Sequence, residues 1–307
     1  MGTYRRFIIN FTIHDILFSF TLGVLSNPDP LFPYSGFVIN GLFRHLGSYG
    51  AFAAAGGLVA TAGYALSTQC ACIIYRFAVL QEDPRIVDFV VSTTTWIVCY
   101  ISAFGVCIFA ASLLKQFLIP QELILGKMAL VQPYINQKLP NISGKVVVYF
   151  DYDNTFAAIT GGAVFFGFFA AEFISFGCVF MILHELEAKK ESFSSITYKL
   201  HRQLTIALGA QLLTPFIFII FPVTLGILAT YNYWSVNESY SQFFVISIDF
   251  YGAANSLITL YFVKPYRVYL SNKLKLALRY LSCGRFGKGP EVIVVMAPET
   301  TLASIMG

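Results

Sequence analysis

The 307 residues are 57% hydrophobic and only 12% charged, with a mean hydropathy of +0.69 and a net charge of +4. Soluble domains carry roughly 25% charged residues, so the composition excludes a water-soluble globular fold and makes lipid the solvent. The small positive excess is a bias in how the chain sits in a membrane and gives no ground for nucleic-acid binding.

Six apolar runs follow one another, each close to the ~20 residues with which an α-helix crosses ~30 Å of hydrocarbon. They predict an all-α polytopic helical bundle of six transmembrane helices. The first run, Phe7 to Leu25, follows Arg5-Arg6; it is too long for a signal-peptide core and no small-residue cleavage site follows, so it stays in the membrane. It carries Asn10, His14 and Asp15 toward the cytoplasmic half, read as a structural polar cluster or, for Asp15, a ligand role. Pro28, Pro30 and Pro33 end it, and Leu31 to Phe43 forms an outer interfacial loop. The second run, Ala51 to Ile74, sets Ala53, Gly57, Thr61 and Ala65 at four-residue spacing, which lets another helix approach closely. Tyr75 and Arg76 close it on the inner side.

The third run is Phe89 to Leu114. The long outer loop behind it, Lys115 to Thr155, holds one β-branched stretch, Gly144 to Phe150, expected to form a strand or hairpin arm. The fourth run, Phe156 to Leu183, carries Glu172 at its middle. After the inner loop from His184 to Gln203 comes the fifth, Leu204 to Leu228, where Pro215 and Pro222 each remove a backbone hydrogen bond and predict a kinked, hinge-like helix. The sixth, Phe243 to Val263, carries Asp249, with Gly252, Ser256 and Thr259 sharing its face. That face is expected to look into the bundle as part of an outward-opening pocket or as a structural hydrogen bond to a neighbouring helix. Charged groups inside spans are expensive and are functional candidates for that reason.

Beyond the sixth run, Lys273 to Cys283 is basic, with Leu274, Leu278 and Leu281 at helical spacing. It reads as an inner-leaflet amphipathic helix, with palmitate on Cys283 or without it. The bundle with this helix takes residues 1–283; 284–307 is expected to be a flexible cytoplasmic tail.

Lys and Arg alternate in density from loop to loop. Arg5, Arg6, Arg76, Arg85, Lys189, Lys190, Lys199 and Arg202, with Lys264 and the basic residues after it, fall on one side. Only Arg44, Lys115, Lys127, Lys138 and Lys145 fall on the other. The richer side is cytoplasmic, which places both termini inside. Two glycosylation sequons, at Asn141 and Asn237, fall on the opposite side. A third match, at Asn10, lies within a span and is inert.

No enzyme pattern survives inspection: His184-Glu185 lacks the second His of a zincin, there is no phosphate-binding glycine loop, and no local nucleophile pattern occurs. Cys70, Cys72, Cys99, Cys107 and Cys178 lie within spans as small hydrophobes, with no metal site or cofactor expected. A six-span transporter or channel with both termini inside is the alternative reading, although the two halves share no inverted pattern of broken helices.

Several strings, in order, resemble the nematode serpentine chemoreceptors, seven-helix G-protein-coupled receptors, in their class H and class I branches. They are Tyr4-Arg-Arg-Phe-Ile-Ile-Asn-Phe-Thr-Ile-His-Asp15, Pro30-Leu-Phe-Pro33, Tyr75-Arg76, Lys199-Leu-His-Arg-Gln-Leu-Thr-Ile-Ala-Leu-Gly-Ala-Gln211 running into Pro215, and Lys264-Pro-Tyr-Arg267. The resemblance spans about residues 1–281. It implies a chemosensory receptor in the plasma membrane of sensory neurons, with a small environmental molecule as ligand, a heterotrimeric G protein as partner and a receptor dimer left open. By the same resemblance, Arg76, with Tyr75 before it, stands at the inner end of the receptor's third helix, and Pro265, Tyr266 and Arg267 stand at the end of its seventh. Those residues are expected to latch the inactive bundle and to face the cytoplasm, with Lys199 and Arg202 in the coupling loop. The six spans would correspond to helices two to seven, the chain beginning at the loop before the second. The outer cysteine pair of most rhodopsin-like receptors is absent.

Overall fold

Six helices among the described residues are long and apolar enough to cross a bilayer: Arg5–Ser26, Ser48–Leu80, Thr93–Leu114, Ala158–Ala188, Ser195–Ala229 and Tyr240–Phe262. A computed structural model describes residues 2–32, 34–81, 83–135, 139–150, 154–231, 238–262 and 264–281. The chain divides into two units, Met1–Ile258 and Thr259–Gly307.

In the first unit, α1 (Gly2–Phe20) widens into a π-helical segment, Thr21–Ser26, and stops at Asn27, whose left-handed φ of 39° suits the end of a helix. Helix α2 (Ser48–Leu80) runs the full depth of the membrane. Of its four-residue stripe, Ala65 is buried, Ala53 and Thr61 are half-buried, and a Cβ on Gly57 would meet Thr21 at 3.4 Å. The third run is divided. Residues 84–91 form a separate helix, α3 (Pro84–Val91), and Ser92 restarts the chain as the cap of α4 (Thr93–Phe117), accepting from the Thr95 amide at 3.1 Å. The crossing therefore begins at Thr93 rather than at Phe89. Helix α6 (Thr155–Ala188) is the fourth span. The fifth is α7 (Ser195–Pro215), a π-helical segment Phe216–Ile220 and α8 (Phe221–Tyr231). The sixth is α9 (Glu238–Phe262).

Two apolar clusters stack along the bundle. Toward one end, Phe7, Phe11, Cys72, Ile73, Val179, Ile182, Leu208 and Leu212 join spans one, two, four and five. Toward the other, Phe18, Leu22, Ala65, Phe244, Ile248 and Tyr251 join spans one, two and six. Large apolar side chains on α4 and α6, such as Ile101, Phe104, Phe166 and Phe173, stay exposed, as a hydrocarbon surround requires.

The outer loops carry more order than the sequence suggests. Pro28–Pro30 (β1), Gly36–Ile39 (β2) and Val147–Tyr149 (β3) form an antiparallel sheet in that order, with Phe37 opposite Val148. The expected strand in 144–150 is there, and the interfacial loop after the first span supplies its partners. A helix not expected from the sequence, α5 (Gln121–Ile135), packs Ile124 and Met128 against this sheet. Gln121 ties the two together: its side chain accepts from the Val147 amide at 2.9 Å and donates to the same residue's carbonyl at 2.5 Å. Between the first two strands Phe32 points down onto the bundle, edge-to-face with Tyr240 at 5.3 Å and Phe244 at 5.4 Å. A Cβ on Gly226 would collide with that ring at 2.3 Å, so span five needs a glycine where the plug enters.

The second unit holds the last turn of α9 and helix α10 (Lys264–Leu281), which contains the basic amphipathic stretch. Cys283 and the tail 284–307 lie outside the described residues.

Asn141 is exposed at the foot of the outer sheet, its side chain accepting from the Ser143 amide at 3.2 Å; Asn237 lies outside the described residues. Translation into microsomes is expected to give a glycosidase-sensitive mass increase that Asn141→Gln reduces, and a chain with no such increase would reverse the orientation.

Candidate functional site

Polar groups inside the bundle have no water to turn to, so each must meet another polar group. At mid-depth, Asp15 of α1 is 9% exposed and accepts a hydrogen bond from the Tyr251 hydroxyl at 2.8 Å and another from the Asn255 side chain, both on α9. One residue past Tyr251 the two helices are in close contact, since a Cβ on Gly252 would stand 3.0 Å from the Ser19 hydroxyl. Asp15 is thus held by α9 and is not clustered with Asn10 and His14 as expected. Asn10 takes part in a separate contact nearby, accepting from the Tyr100 hydroxyl, while His14 packs on the Tyr64 ring with centroids 5.5 Å apart.

Glu172 is the second interior acid. It is 7% exposed at the middle of α6, and its Oε2 has no hydrogen-bond partner among the described residues. It lies close enough to Tyr251 and to Cys70 to act on both electrostatically. One turn further along α6, Ser175 meets Cys70 at 3.3 Å. One turn toward the outside, the Phe169 ring meets Phe216 at 5.9 Å, and Phe216 opens the π-helical segment of span five. That segment lies between Pro215 and fully buried Pro222, where the hinge was expected.

Asp249 is placed differently from the sequence expectation. The buried line of α9 runs Phe244, Ser247, Ile248, Tyr251 and Asn255, which leaves Asp249 and Ser256 exposed on the outer surface of the bundle. Gly252 serves the contact with α1. A carboxylate and an amide both occur on this helix, and the packing turns the amide inward. The signal that could have found Asn255 was its spacing of four from Tyr251, the same stripe that holds the apolar core residues.

At the inner end, Arg76 is 4% exposed and donates to His201 Nδ1 of α7 at 3.4 Å. It faces neighbouring helices rather than the cytoplasm, because α2 runs one turn beyond it to Leu80. Tyr75 stacks on Phe7 at 4.6 Å, and Trp96 meets the same ring at 4.9 Å. Lys189, after α6, donates to the Leu80 carbonyl at 2.7 Å and satisfies the exposed end of α2. Glu187 accepts from Tyr198, drawing the start of α7 onto the end of α6. Spans two, four and five are therefore joined by polar contacts at their inner ends. Lys199 and Arg202 are exposed on α7 beside this junction. Pro265, Tyr266 and Arg267 fall in the first turn of α10, where Arg267 is exposed and donates to the Tyr261 carbonyl at 3.2 Å.

The family model for the serpentine type 7TM GPCR chemoreceptor Srh matches residues 1–276. The chain belongs to that family. It is a chemosensory receptor of the membrane, and of the two branches that its motifs resemble the match falls to class H. No curated protein and no solved structure matches the chain. In this Srh receptor the motif strings at Asp15, Arg76 and Pro215 all lie on contacts between spans.

Tyr251→Phe keeps the ring packed and removes one of the two donors on Asp15. Loss of a hydrogen bond to a buried charged group costs about 1–3 kcal/mol, so the detergent-solubilised variant is expected to melt measurably lower than the parent. Equal melting temperatures would show that this bond does not hold spans one and six together.

Proposed function

We propose that this receptor binds a small environmental molecule inside the bundle at Glu172 and signals to a heterotrimeric G protein. The observation that carries the reading is the buried Glu172 oxygen without a partner among the described residues. A buried acceptor left unpaired costs about 1–3 kcal/mol or more when charged, and a ligand that donates a hydrogen bond or carries positive charge recovers that energy on binding. The site is one helical turn from the Phe169–Phe216 contact, so a ligand there presses on the segment between Pro215 and Pro222. Movement of span five then reaches the inner junction, where Arg76 and His201 separate and the exposed Lys199 and Arg202 meet the G protein; Arg267, on the second unit, is a further coupling residue.

The same reading places the receptor in the plasma membrane of sensory neurons with both termini cytoplasmic and glycans on Asn141 and Asn237. Residues 1–283 form the bundle and inner-leaflet helix, with palmitate on Cys283 as a second anchor and 284–307 as a tail. Pro265 and Tyr266 start the inner helix and are coupling residues by the same reading.

Two substitutions test the reading in cells reporting G-protein activation across a panel of small volatile and water-soluble compounds. Glu172→Gln keeps the side chain's shape and removes the charge; the potency of an active compound is expected to fall about tenfold, the worth of ~1.4 kcal/mol, at unchanged surface expression. Equal potency would remove Glu172 from the site, and compound-driven flux into reconstituted vesicles without G-protein activation would favour a transporter. Separately, Arg76→Ala breaks the inner latch and is expected to raise signalling without ligand while leaving ligand affinity alone. Unchanged basal signalling would make Arg76 a packing residue.

A further inference from the structure

Some polar side chains on the exposed faces of the spans satisfy themselves within their own helix, and others, such as Ser102 of α4, make no side-chain hydrogen bond with a described residue. Thr12, Ser67 and Ser112 each donate to the carbonyl four residues earlier, at 2.8, 2.7 and 2.8 Å, and so need nothing from outside. Gln242, Asp249 and Ser256 of α9 make no side-chain hydrogen bond or ion pair with a described residue, and all three are exposed. Asp249 is the costly one. At ~1.5 Å rise per residue it lies roughly 13 Å below Tyr240, near the middle of a 23-residue span, too deep for a short side chain to reach the headgroups.

The three polar residues recur every seven positions, and exposed Ile246 and Ala253 fall between them at alternating steps of four and three. This is the seam of a two-stranded helix pair, with one small residue beside the acid to let a second backbone come close. We propose that α9 docks against α9 of a second copy of this chain, related by a two-fold axis along the membrane normal. Such an axis keeps both copies in the same orientation and sets each seam residue opposite itself. The Gln242 amide and the Ser256 hydroxyl suit that arrangement, because each is donor and acceptor at once, and Asp249 meets its own copy at the level between them. One identical partner thus brings a polar group to all three depths. Any other helix would need matching groups at the same three levels.

The full chain, carrying a fluorescent tag, is reconstituted into phosphatidylcholine vesicles over a range of protein densities and its association is measured by energy transfer. The parent is expected to dimerise. Asp249→Asn keeps a donor and an acceptor and is expected to stay within about threefold of the parent, whereas Asp249→Leu weakens association about tenfold, as the loss of a strong interhelical hydrogen bond does. Leucine on an exposed span face does not threaten folding. In cell membranes, oxidation of Ala253→Cys is expected to give a covalent dimer that neither the parent nor Phe104→Cys on exposed α4 gives. A monomeric parent at every density, a Leu variant that dimerises like the parent, or a Cys variant that crosslinks only to a different polypeptide each overturns the proposal.

Discussion

Hydrocarbon offers no hydrogen bonds, and the arrangement of this bundle follows from that deficiency. Backbone groups satisfy themselves within helices, but Asp15 cannot, and its two donors both come from α9. The chain's first and last spans are therefore held side by side by one carboxylate. Once they are, Phe18 and Tyr251 pack edge-to-face at 5.6 Å, Gly252 comes against Ser19, and the outer apolar cluster closes. At the inner cluster, α2 also gives α1, α4 and α6 a common surface of small and medium side chains.

The spans were legible because length and hydropathy are one-dimensional properties, and the fold departs from them only where local chemistry intervenes. Ser92 is one such place: a serine with Thr95 three residues on is a cap, and it divides a run whose hydropathy is continuous. The irregular turn of span five was also legible, because proline's missing donor is a property of the residue itself. Helix α5 was not, since only Ile124 and Met128 mark its buried face and Pro133 argues against a helix. The outer sheet could be half read; β3 shows itself by its valines, but its partner lies more than a hundred residues earlier, and no local pattern announces a pairing over that distance.

Asp249 shows where reading a membrane helix from sequence stops. In a soluble helix the polar stripe faces out and the apolar stripe in, so a wheel resolves the orientation. In lipid both stripes can be apolar, and α9 offered two lines with polar members, one through Ser247, Tyr251 and Asn255 and one through Asp249 and Ser256. Only the acid waiting on the neighbouring helix chooses between them. Arg76 differs for a related reason: its place near a helix end suggested the cytoplasm, while α2's extra turn carries the chain past it and leaves the guanidinium among its neighbours.

The π-helical turns in spans one and five alter how those spans are to be compared with straight helices. A π turn accommodates an added residue, and each residue of an α-helix is ~100° of rotation. Everything outward of Phe216–Ile220 is thus out of phase with the rest of span five by about that angle. Gly226, which meets Phe32, and buried Pro222 both lie outward of this phase slip. Unwinding the wide turn into an ordinary one would swing the outer segment of span five about its own axis while its inner segment stayed still, so that the helix would act as a rotary joint as well as a bend.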